Sequence, residues 1–300
     1  MSRLILCADD FAYSRGVSET IVELAKAGKL NAISCMTGMP GWHEDSLLLR
    51  TVPPHVQIGL HLTLTGERPL TPMPELAPRG VLPDINTLQR RAARWNLPFG
   101  EIADEIRAQF AAFVQAMGRA PDFVDGHQHA HALPGIREIV LAEVACRAPQ
   151  SWVRACSDRF SSMVQRPFLG KAIGSSFHTR GFRRAAAAYG IATNDSFGGH
   201  YDFARDYARL FHRFLRGGRG MHLVMCHPGA GARADDTIAG ARCREAETLI
   251  KLPIADMAAR AGMAFPGRAE GRRESVARRS EGHFHCAAAH VAAASGRAAG

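Results

Sequence analysis

The chain has 300 residues, 46% of them hydrophobic and 22% charged, an ordinary balance for a soluble globular protein able to bury one large core or two modest ones. Its net charge is +9, but the arginines are spread along the chain without a compact basic stripe or interleaved aromatics, which describes a basic surface rather than a nucleic-acid footprint. No apolar run approaches the roughly 18 residues that span a bilayer, the N-terminal apolar run ends in acids rather than at a cleavage site, and the seven cysteines include no C-x-x-C pair, so a cytoplasmic protein with reduced thiols is expected.

Leu4 to Ala8 predict a short buried strand that runs straight into Asp9 and Asp10. Parallel sheets and barrels place their chemistry at that carboxyl edge, while an aspartate there also serves as the cap of a following helix. "SETIVELAKAG" has helical spacing and ends at Gly28, and "AISCMTG" reads as a second strand. "VQIGLHLTLT" alternates, with Val56, Ile58, Leu60, Leu62 and Leu64 on one face and His61 among the polar residues of the other. The segment 66–84 is proline-rich and irregular, the pattern of a lid or binding loop. "EIADEIRAQFAAFVQAMG" is an amphipathic helix, "DFVDGHQ" a strand and "GIREIVLAEVACRA" a helix.

"WVRACSD" then reads as a strand, "FARDYARLFHRFLRG" as a helix, "MHLVMCHPG" as a strand, and Ala241 to Gly262 as mostly helix. This βαβα rhythm predicts a parallel sheet with helices outside, a barrel or a doubly wound sheet, over residues 1–265. From Pro266 the pattern dissolves into an Ala-, Arg- and Gly-rich stretch, expected to be a disordered tail over 266–300.

Four polar clusters fall at predicted strand ends: Asp9 with Asp10, His61, the D-x-H-x-H-x-H run of Asp125, His127, His129 and His131, and His227. On an extended backbone the four residues of that run share a face. Burying them without partners is costly, so the run implies a hydrated cleft or a metal, or else a polar surface strand. One Asp and two His would match the three-ligand catalytic metal site with one open position.

Together, "ADDFAYSRGV", "GLHLTLTGERPLTPMPEL", "DFVDGHQHAHALPGI" and "VMCHPG" resemble the YdjC-like carbohydrate deacetylase family, which includes chitooligosaccharide and hopanoid-biosynthesis-associated deacetylases. The resemblance covers roughly residues 3 to 263. It implies an irregular, TIM-barrel-like (β/α) barrel and hydrolysis of the N-acetyl group of an amino sugar. It also implies one divalent ion, magnesium by the family's usual assignment, held by Asp10, His61 and His127, with Asp9 as catalytic base. Zinc or another transition metal suits two imidazoles better on softness grounds. An amine leaves only when protonated, and His227 is the candidate acid. The family usually carries Gly where this chain has Ala12, which strains that position if φ is positive. Its C-terminal segment usually ends in ordinary globular sequence, unlike 266–300.

The expected partners are an N-acetylated sugar and, from oligomer frequency, a second copy of the chain, with no nucleic acid and no membrane span. The rival readings are a metal-dependent phosphoesterase or another amidohydrolase on a barrel, and a non-enzymatic basic protein binding nucleic acid or polysaccharide. The first lacks its H-x-H opening strand or phosphate-cradling glycine loop, and the last would leave Asp9, Asp10, His61 and His127 individually dispensable.

Overall fold

The computed structural model describes residues 1–166, 168–231 and 233–265. Its strands are β1 (Ser2–Phe11), β2 (Ala32–Cys35), β3 (Gln57–Leu62), β4 (Phe123–Gly126), β5 (Trp152–Val153), β6 (Ser196–Gly198), β7 (Met221–Cys226) and β8 (Met263–Ala264). They form one parallel sheet in the order β5-β4-β3-β2-β1-β7-β6, with β8 beside the start of β1. The sheet curls until its edges meet: the Val153 N–H donates to the Ala192 carbonyl at 2.9 Å, and Val153 bridges Thr193 just ahead of β6. The Asn194 side chain completes this seam, accepting from the Ala155 N–H and donating to the carbonyls of Ala155 and Ser196. The α/β, irregular barrel expected from the sequence is the fold observed.

Alternation along the strands divides the apolar residues into two cores. Leu4, Leu6 and Ala8 pack with Ile33, Leu60, Val224 and the helices outside the sheet. Ile5 and Cys7 join Phe123, Trp152, Phe197 and Leu223 in a plug within the barrel. Fully burying one such large side chain contributes about 1.5–3 kcal/mol. The plug explains Gly59, since a Cβ there would lie 2.4 Å from the Phe123 ring.

The helix Arg15–Lys26 buries Val17, Ile21, Val22 and Leu24, and its N-cap is Ser14, whose side chain accepts from the Val17 N–H. The aspartate pair therefore caps nothing. It also lies inside β1, which runs three residues beyond the predicted strand and starts two before it. The predicted "WVRACSD" strand shrinks to the two residues of β5, and the helix of 241–262 divides into Ala239–Lys251 and Ile254–Arg260 at Pro253.

The largest correction concerns the histidine run. After β4 the chain leaves the extended conformation, with Gln128 at φ 52° and His129 at φ 62° inside a 3-10 turn over His127–Ala132. Asp125, His127, His129 and His131 consequently do not share a face. The segment 66–84 forms no helix or strand, as expected. It is fastened to the helix Phe99–Met117, where Glu105 accepts from the N–H groups of Leu70 and Thr71, and Glu101 from those of Glu75 and Leu76. The segment 266–300 lies outside the described residues, among which no helix is long and apolar enough to cross a membrane.

Candidate active site

Neighbouring residues on a strand face opposite ways, so Asp9 and Asp10 should not share a cavity. Asp9 follows Ile5 and Cys7 into the barrel. Asp10 should face the helices, but it has φ 66°, Ala12 has φ 74°, and the β1–β2 register shifts between Ala8 and Phe11. These left-handed residues break the pleat, and both carboxylates line one cavity of about 650 Å³ at the carboxyl ends of the strands. Such conformations cost a non-glycine residue on the order of 1–3 kcal/mol and cluster where function demands them.

β3 places His61 directly beside Asp125 of β4 in the ladder. Asp125 Oδ1 lies 2.7 Å from His61 Nδ1, and Ser34 of β2 bonds both groups. That leaves His61 Nε2 facing Asp10 Oδ1 at 3.3 Å. The turn after β4 brings His127 Nδ1 to the same oxygen at 3.0 Å. Asp10 Oδ2 is occupied by Arg242, at 2.8 Å, from the helix Ala239–Lys251. Burial raises the Asp10 pKa, yet Arg242 and His127 hold it well below the usual carboxylate range.

Three donor atoms, from Asp10, His61 and His127, thus converge within 4.8 Å of one another. Burial disfavours a charged His61, but Asp125, Asp10 and Asp9 outweigh it and push its pKa up to about 10. The geometry therefore calls for a positive charge at this point, carried either by a proton or by a cation. One carboxylate and two imidazoles, with a second carboxylate fixing the far nitrogen of His61, is a donor set that suits a divalent ion.

Asp9 is held differently. Both of its oxygens take Arg154 at 2.6 Å in a two-pronged pair, and the same guanidinium reaches Asp125 Oδ2 at 2.5 Å and Cys7 Sγ at 3.2 Å. Cys7, Asp9 and Asp125 also lie close enough together to suggest a second cation site, but this guanidinium fills it. Arg154 is itself completely buried, and His131 Nε2 donates to its carbonyl at 2.8 Å. Desolvation pushes the His131 pKa down to about 4, so it is neutral in this role. His129 stands edge-on to Phe197 and His200 instead.

His227, just past β7, lines the cavity with its Nε2 3.9 Å from Asp9 Oδ2. Desolvation lowers its pKa to about 4. Its backbone N–H donates to Glu245 Oε2 at 2.6 Å, and the Tyr201 hydroxyl donates to the same carboxylate. Burial pushes Glu245 up to about 7.

The five residues expected to act, Asp9, Asp10, His61, His127 and His227, all line this cavity, while Asp125 and His131 stand behind it. Sequence reasoning missed Arg154, Arg242, Ser34 and Glu245. Arg154 alone left a signal, as a cation in the apolar run "WVRAC".

A family model described as YdjC-like protein matches residues 3–260. The chain is 38% identical over 137 residues to a chitooligosaccharide deacetylase of Proteus mirabilis, a match covering 46% of this chain and 53% of that protein. It is thus matched to only about half that relative's length. It is 32% identical over 230 residues to a chitooligosaccharide deacetylase of Citrobacter koseri, covering 75% of this chain and 81% of the relative. A carbohydrate deacetylase of Homo sapiens is 27% identical over 245 residues, covering 76% and 75%. Among solved structures, an Enterococcus faecalis V583 protein named for a proposed cellobiose-phosphate cleavage shares the fold, with a TM-score of 0.68 at 22% identity over 89% of this chain and 97% of that one.

Proposed function

This chain belongs to the YdjC-like family, and from that premise and the cavity's geometry we propose that it is a metal-dependent carbohydrate deacetylase, removing the N-acetyl group of an amino sugar or N-acetylated oligosaccharide or glycolipid. The observation that carries the reading is the convergence of Asp10, His61 and His127 beside the clamped carboxylate of Asp9.

A divalent ion held by these three residues would polarise the amide carbonyl and acidify the attacking water. Magnesium follows from the family resemblance, and the two imidazoles favour zinc or a similar ion. The chain's own groups move the protons. Asp9, its orientation fixed by Arg154, accepts a proton from the water as it attacks. His227 is neutral at pH 7, and its Nε2, 3.9 Å from Asp9 Oδ2, takes over the proton that Asp9 accepted from the water and passes it to the departing amine. A phosphoesterase fits less well, because the buried cations Arg154 and Arg242 are both committed to carboxylates. The reading carries with it a cytoplasmic protein, which can pair with a second copy.

Acetate release from a panel of N-acetylated sugars, with and without chelator, tests the proposal. Release should stop on chelation and return with added metal. His61→Ala should lose at least about tenfold in metal affinity, while Asp9→Asn keeps its metal and drops kcat by about 10² or more. Release that persists under chelation overturns the metal's role. Loss of metal in Asp9→Asn with retention in Asp10→Asn would reverse the two aspartates.

A further inference from the structure

Amphipathic helices of a soluble domain turn apolar residues inward, and two helices here also leave large apolar residues on their outer side. On the helix Phe160–Met163 and the residue after it, Phe160 is 63% and Val164 49% exposed, one turn apart. On the helix Leu169–His178, Ile173 is 43% and Phe177 70% exposed, again one turn apart. Ser176 Oγ lies 3.5 Å from Met163 Sδ, so the helices are side by side. Single exposed apolar residues elsewhere are unremarkable, but four in one stretch of paired helices form a patch that marks an interaction surface.

Charge identifies the partner. Residues 159–194 contain six Lys or Arg and no Asp or Glu. Arg159 precedes the first helix, Arg180 and Arg184 follow the second, and all three are exposed. Arg166 is buried and paired with Asp158, but apolar side chains on a helix surface, flanked by the exposed Arg159, Arg180 and Arg184, suit an anionic lipid bilayer, into whose interface the rings insert while the guanidinium groups meet the headgroups. The position is also apt. Met163 and Ala172 of these helices share a small cavity with Phe197 and His200, and His200 also lines the main cavity.

We propose that the paired helices of 160–178 dock the protein on anionic membrane surfaces, holding the catalytic cavity next to the bilayer without any segment spanning it. The proposal does not depend on the reaction assigned to that cavity.

The test is flotation of the full chain with vesicles of phosphatidylcholine containing phosphatidylglycerol, beside pure phosphatidylcholine vesicles. Wild type should bind the anionic vesicles, bind the neutral ones weakly, and be released by high salt. Phe160→Ser with Phe177→Ser leaves the net charge at +9 and alters two exposed positions, so melting and release of acetate from a soluble substrate should be unchanged. Vesicle affinity should fall by about tenfold or more. Wild type that ignores anionic vesicles, or a double variant that binds them as well as wild type, overturns the proposal. So does a double variant that instead converts a dimer to monomers, since the patch would then serve a second copy.

Discussion

Along the wall from β7 through β1 to β4, backbone ladders of three to six residue pairs join each strand to the next, whereas the seam between β5 and β6 has one backbone bridge and is otherwise closed by side chains, among them Asn194, Asp158 and Arg183. The wall carries Asp9, Asp10, His61 and Asp125, groups whose chemistry needs fixed positions. The seam carries two- and three-residue strands and the outward-facing apolar helices. Arg154 links the two. It directly follows β5, its backbone N–H bonds the Val124 carbonyl of β4, and its guanidinium reaches Asp9 and Asp125, so it ties the β5 edge of the seam to the wall. A barrel with one thinly bonded side thus uses the arginine that holds Asp9 as a structural tie.

Arg154→Met breaks that tie and has the largest expected effect. Removing one partner of a buried ion pair costs about 3–5 kcal/mol because the other charge stays buried, and here two carboxylates lose their partner. Acetate release should fall by about 10² or more. The pH dependence has a definite sign. Arg154 and His61 hold the Asp125 pKa down against burial, so Asp125 contributes stability above the unfolded carboxylate pKa of about 4, and that contribution is lost as pH falls through the folded value. The gap between wild type and Arg154→Met in denaturant melts should therefore be widest at neutral pH and narrow below about pH 4. A variant that melts like wild type at pH 7 would show that Arg154 is not the tie.

Asn194→Ala separates the seam from the chemistry. It deletes three buried hydrogen bonds at a position with no exposure, a loss of about 2–4 kcal/mol at roughly 1 kcal/mol per bond plus orphaned backbone groups. The proposed metal ligands lie on the wall and the turn after β4, so metal affinity should stay within about twofold by titration. If affinity falls along with stability, the wall does not hold the site by itself and the contrast fails.

The same contrast accounts for what the sequence made legible. β1, β3 and β7 announce themselves as apolar runs bounded by polar groups, and the alternation of β3 correctly turns His61 away from the aliphatic face. On the seam side, β6 is three residues long and its contacts run through an asparagine side chain, which carries no periodic signal. The run D-x-H-x-H-x-H matches a strand's period of two and is a turn, because Gln128 and His129 take left-handed conformations that only tertiary contacts enforce. His127 still reaches Asp10 in the cavity, although the extended backbone expected around it is a turn. Arg242 could not be found at all: an arginine on a helix reads as solvated, and only the folded chain buries it against Asp10.

The smallest effect comes from the strain in the wall itself. Ala12 holds φ 74° in the turn that follows Asp10, its N–H donating to Ser18 Oγ at 3.0 Å. A left-handed alanine costs roughly 1–2 kcal/mol, and glycine gives back about 0.5–1 kcal/mol through the greater freedom of its unfolded chain. Ala12→Gly should therefore stabilise by about 0.5–1 kcal/mol, a rise in Tm of roughly 1–4 °C for a chain of this size. The left-handed Asp10 is untouched, and the hydrogen bond from position 12 to Ser18 survives because it uses only the backbone, so metal affinity and acetate release should stay within about twofold. A variant that melts higher but binds metal several-fold more weakly would mean that the strained alanine aims Asp10 at His61 and His127. Backbone strain on the wall would then be part of how the site is held, as the Arg154 tie is on the seam.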